Sequence, residues 1–279
     1  MVVKDEVLDR TIERVRKHLP PDQAPQVEEF VNQYYGWVSS TDLAERSPVD
    51  VYGAAVAHWN FIQKREPGTE KVFVYNPHHG DHGWQSTHTV VEIVNDDMPF
   101  LVDSANMEIS RLGHGIHLMF HPIIRVKRDE EGNLLELLPL GSEPEDAISE
   151  SVIHVEIDQN TEPSVLEELR DNLTRVLHEV RAAVEDWKTM RQRVNDIVSE
   201  FEENPPPVER EELEDTISFL EWLADNHFTF IGYREYELEE KDGEDALKTV
   251  PNSGLGILRD AGEAPVSRSF AKLPPEVRR

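Results

Sequence analysis

Four histidines, His78, His79, His82 and His88, crowd one short stretch of the chain. Neutral imidazoles at this density are candidate zinc ligands, but such ligands normally sit at fixed spacing on rigid elements, with a carboxylate behind them. Three of the four fall in the glycine-containing run HHGDHGWQS, which reads as a surface loop with incidental histidines. His117 and His121 share one strand face and could pair, and a half-buried strand accounts for them equally well. No metal site is expected. Asn95-Asp96-Asp97 stands between a strand and a helix start. Backbone N–H groups there would take an amino-acid carboxylate, and an aspartate its ammonium. Aspartate also caps helices and closes turns, and on the residues alone that is the reading adopted.

Other signatures of chemistry fail. Gly254-Leu255-Gly256 lacks the third glycine of a dinucleotide fingerprint, its place being Arg259, and no strand-turn-helix frame follows. No P-loop, nucleophile elbow or HExxH occurs. The chain has no cysteine, which removes thiolate nucleophiles, disulfides and Cys-based zinc sites and suits a cytoplasmic protein. No catalytic and no cofactor-binding residue is nominated.

The elements that would position these residues are legible. Leu8, Ile12, Val15 and Leu19 recur at helical spacing before Pro20-Pro21; Val27 to Tyr35 mark a second helix, and Ser47-Pro48 the N-cap and first residue of a third. This helical segment, residues 1–68, needs the next module to complete its core. From Lys71 the period changes to two, with strands KVFVYNP and THTVVEIVN. Asp97 is the expected N-cap of a helix burying Leu101, Ala105, Ile109 and Leu112, with Gly113 at its end. Ile116 to Val126 alternate around a break at Pro122; EEGN and LLELL make a hairpin, and Ile153, Val155 and Ile157 another strand.

From Leu166 to Phe201, apolar residues follow three-four spacing with no Gly or Pro between Ser164 and Asn204. One long helix with a partner seam is expected ahead of a helical hairpin. Pro205-Pro206-Pro207 breaks the chain, a helix runs to about Asn226, and the strand FTFIGYREYEL begins at Phe228. The tail, through LPPEVRR, carries strand and turn signals without closure, as if a second domain were cut short. The fold class is α+β, with domains expected over 1–68, 69–204 and 208–279.

Net charge is −28, from 56 acidic against 28 basic residues, a surface that repels nucleic acid and anionic lipid. Solubility explains the acidity without invoking a high-salt habitat. No apolar run reaches the length of a membrane span, and MVVKDEVLDR does not open like a secretory signal.

Three blocks carry a family resemblance: His82 to Asp129, Phe219 to Leu238 (FLEWLADNHFTFIGYREYEL) and Ser253 to Asp260 (SGLGILRD). In content, order and spacing they resemble the N-terminal region of the large bacterial NAD-dependent glutamate dehydrogenases. The resemblance implies ACT-like modules: an antiparallel sheet with packed helices, followed by the start of a second ACT-like domain. It implies a regulatory and oligomerising role in a homo-oligomer, with NAD and the catalytic residues in a downstream domain of the same polypeptide. In ACT modules the first strand-helix turn binds amino-acid effectors in some proteins and only packs in others. Asn95, Asp96, Asp97, Met98 and Pro99 are therefore the candidate effector residues. The family's usual glycine after the turn proline is Phe100 here, which would crowd a ligand. The rival reading is a stand-alone ACT-type amino-acid sensor.

Overall fold

A computed structural model describes residues 2–142, 144–241 and 244–259. It divides into two compact units, Met1–His178 and Glu179–Arg279.

The first unit opens with four helices where three were expected: α1 (Val2–His18), α2 (Ala24–Tyr34), α3 (Ser40–Ala44) and α4 (Pro48–Ile62). The additional one, α3, is too short to show a period. It is held by its cap, the Ser39 hydroxyl accepting from the Asp42 N–H at 3.1 Å. Ser47 caps α4 in the same way and Pro48 occupies its first turn, as expected.

Six antiparallel strands follow: β1 (Lys71–Tyr75), β2 (Thr89–Asp96), β3 (Ile116–Phe120), β4 (Ile123–Arg128), β5 (Leu134–Leu137) and β6 (Ile148–Ile157). A single turn, α5 (His79–His82), leads into β2, and α6 (Leu101–Arg111) joins β2 to β3. The order is β1-β2-β6-β4-β5, with β3 also on β6. Pro122 splits β3 from β4, yet both pair with β6, and the Pro122 carbonyl accepts from the Val152 N–H at 3.0 Å. The missing N–H is thus confined to a break between strands.

Strand β6 is longer than its alternation suggested, because its polar positions are buried as well. Val7, Val15, Val27, Phe30, Tyr34 and Trp59 of the helices share one core cluster with Val94, Phe120, Ile124, Val126 and Val152 of the sheet. The helices therefore complete their core on the sheet. Each large side chain so buried contributes about 1.5–3 kcal/mol. Strands covered on both faces lose the simple polar alternation.

Helix α7 (Pro163–Glu203) is one continuous helix of 41 residues, not a hairpin. Its buried line runs Leu169, Leu173, Leu177 and then Met190, Val194, Val198. Steps of four slant across the expected seam, so Leu177 and Val198 are buried in preference to Val176 and Ile197. Trp187, placed in that seam by spacing, is 40% exposed.

The second unit continues with α8 (Arg210–Trp222) and a π-helical turn, Leu223–His227, in which Asn226 takes φ 58°. Strand β7 (Gly232–Tyr233) pairs with β10 (Leu255–Gly256), and β8 (Tyr236–Lys241) with β9 (Glu244–Thr249). The strand expected from Phe228 starts only at Gly232. Phe228 is extended but precedes the first ladder partner. The tail beyond Arg259, including LPPEVRR, lies outside the described residues.

Candidate functional site

The turn from Asn95 to Pro99 connects β2 to α6. Asn95 is buried and Asp96 half-buried; Asp97 and Pro99 are exposed and Met98 is half-buried. Asp96 Oδ1 accepts from Arg65 Nη2 at 2.6 Å, and the Asp97 N–H donates to the Ser149 carbonyl at 2.9 Å. The cap of α6 is not Asp97 but Phe100, whose carbonyl takes the Ser104 N–H and whose side chain makes no capping bond. Phe100 sits at φ 73°. A left-handed conformation costs an L-residue about 1–2 kcal/mol, which explains the preference for glycine at such a place. Its ring is half-exposed beside the turn. Gly113 stands at φ 85° just past the final cap, Leu112, where the expected helix stop falls.

Behind the turn lies a balanced charge network. Glu150 is buried and receives Arg65 Nη2 and Arg128 Nε, both at 2.6 Å, and Arg128 Nη2 at 2.7 Å. The remaining guanidinium donors go to the carbonyls of Thr69, Ile62 and Gly132. Two cations meet Glu150 and Asp96, so the buried charges cancel and tie the end of α4 to the sheet.

A second buried cluster was not legible as a site. Tyr34 of α2 places its hydroxyl 2.8 Å from His58 Nδ1 (α4) and 3.0 Å from His154 Nδ1 (β6). Glu92 of β2 lies opposite His154 in the sheet register and accepts from the Tyr75 hydroxyl at 2.9 Å. One nitrogen from each histidine and one Glu92 oxygen all lie within 4.8 Å of one another. Burial pushes the Glu92 carboxyl up to about 8, only partly opposed by Tyr75 and Lys71. Burial likewise holds the His58 imidazole well below its ordinary value, with His154 adding to the effect. Neighbouring Glu156 differs: burial pushes it up, but hydrogen bonds and charge from His154 and Arg46 win and hold it well below the carboxylate range. The available signal was a glutamate inside the apolar run VVEIV, a polar residue in a strand buried on both faces.

His78, His79 and His82 are exposed, while Trp84 of the same loop is buried and His88 half-buried. His78 pairs with Asp81 at 2.7 Å within the α5 turn. His117 bonds Asp158 at 2.7 Å and its ring lies 4.3 Å from that of His88 at a tilt of 39°, whereas His121 falls past the end of β3, so the two do not pair along that strand.

A helix-covered antiparallel sheet with a strand-turn-helix opening defines the class: a regulatory-type α+β module of the ACT kind. The family model described as "Glutamate dehydrogenase, ACT1 domain" matches residues 30–173, and the chain belongs to that family. It is 39% identical over 255 residues to the NAD-specific glutamate dehydrogenase of Halomonas elongata, covering 91% of this chain and 16% of that protein. With the NAD-specific glutamate dehydrogenase of Pseudomonas aeruginosa it shares 38% over 243 residues, covering 87% and 15%. With that of Mycobacterium tuberculosis it shares 25% over 170 residues, covering 61% and 10%. The chain thus spans about a sixth or less of the length of these relatives. Among the described residues no helix is long and apolar enough to cross a membrane.

Proposed function

We propose that this chain is the N-terminal regulatory and oligomerising part of a cytoplasmic NAD-dependent glutamate dehydrogenase. The parent reaction converts L-glutamate, NAD and water into 2-oxoglutarate, ammonia and NADH, with NAD and the catalytic residues held in a downstream domain. The observation that carries this reading is the ACT1 match, joined to two relatives at 38–39% identity that this chain covers only in small part.

The test is an activity comparison. The chain alone is expected to show no glutamate-dependent NAD reduction. The parent polypeptide is expected to show it, and deletion of residues 1–178 to alter its oligomeric state or its response to amino acids. Unchanged assembly and regulation after deletion would remove the proposal.

An amino-acid effector at Asn95, Asp96, Asp97, Met98 and Pro99 is a narrower part of this reading. Calorimetric titration with amino acids, repeated on Asp97→Ala, tests it. Heat that persists unchanged in the variant would place the effector elsewhere.

A further inference from the structure

We propose that His58, Glu92 and His154 form a buried structural site for one divalent transition-metal ion of the zinc type. Three atoms no more than 4.8 Å apart share a point within about 2.8 Å of each. Zinc binds imidazole nitrogen and carboxylate oxygen at about 2.0–2.2 Å. Each side chain would have to move inward by up to about 0.6–0.8 Å, within reach of rotamer adjustment.

One polar atom of the cluster gives an independent reason. His58 Nε2 is buried and finds no hydrogen-bond partner among the described residues. A buried polar atom left unpaired is costly, and a metal ion would satisfy it.

Charge points the same way. Glu92 is 1% exposed, and its hydrogen bond comes from a neutral tyrosine. Two neutral imidazoles and one carboxylate make a ligand set suited to zinc, and the cation would let Glu92 ionise in place. Such an ion would pin α4 to β2 and β6. The competing metal-free arrangement turns His58 Nε2–H toward the Ile93 carbonyl. This inference does not rest on the parent activity.

The test uses the full chain without a polyhistidine tag, produced in zinc- or cobalt-supplemented medium so that the ion is present during folding, and dialysed before elemental analysis. The expected result is one retained equivalent, the visible absorption of four-coordinate cobalt(II), and a thermal midpoint about 5 °C or more above that of protein produced in metal-depleted medium. The double variant His78→Ala/His82→Ala keeps all three signals, and His58→Gln loses the retained metal and the band. If His58→Gln does not fold, the wild-type cobalt spectrum together with the loop variant decides. Wild-type protein with neither retained metal nor a cobalt band overturns the proposal, as does metal that vanishes with the loop histidines.

Discussion

Glu150 and Glu92 are buried to the same degree on adjacent strands of one sheet, yet they meet opposite environments. Glu150 is gripped by two guanidinium groups, while Glu92 has a tyrosine hydroxyl. The difference teaches that burial alone does not set the state of a carboxyl; the charge opposite it does. Where arginines arrive from the segment after α4 and from β4, the network closes as a strut. Where histidines arrive from α4 and β6 and tyrosines from α2 and β1, the carboxyl is left to hold its proton or to take a cation.

The comparison can be broken most severely at Glu150. Glu150→Ala strands two buried guanidinium groups, and urea unfolding is expected to show a loss of about 3–5 kcal/mol. A loss below 1 kcal/mol would mean that Arg65 and Arg128 find other partners. At Glu92 the expectation is a pH effect. Its folded pKa, about 8, lies above the unfolded value near 4.5, so the folded metal-free protein binds the extra proton between them. This contribution to stability is present in full below about pH 4.5 and is lost as pH rises to about 8, on the order of a few kcal/mol in total. Glu92→Gln should remove that slope and be the more stable protein at pH 8. Parallel stability–pH curves for variant and wild type would sink the assignment.

Smaller changes sharpen the contrast. Gly132 takes φ 81°, and a Cβ there would meet the Arg65 carbonyl at 2.1 Å. Gly132→Ala should therefore cost about 2 kcal/mol or more through the charged network, without altering the Glu92 slope. A flattened slope would show that the two clusters are coupled. The mildest expectation concerns the neighbouring turn: Phe100→Gly should gain about 1 kcal/mol by relieving the left-handed backbone, seen as a raised denaturation midpoint. A loss instead would show that the exposed ring makes contacts worth more than the strain.

Much of the frame was readable from local signals. The helix after β2, its stop at Gly113, the break at Pro122 and the uninterrupted α7 each follow from a residue type acting on its own backbone. The misreadings share one cause. Asp97 looks like a cap, but the left-handed turn at Phe100 moves the helix start beyond it. His154 and Glu156 look like the wet side of β6 until helices cover that face. The strand expected at Phe228 has the right residues but no partner until Gly232.

The sequence by itself determined the family, the α+β class and the order of most elements, because periodicity, caps and breakers act over a few residues. Only the tertiary structure decided which polar residues are buried together. Tyr34, His58, Glu92 and His154 come from two helices and two strands, and no spacing rule connects them. Their meeting depends on how the helical segment seats on the sheet, a packing outcome summed over many small apolar contacts that no single residue announces.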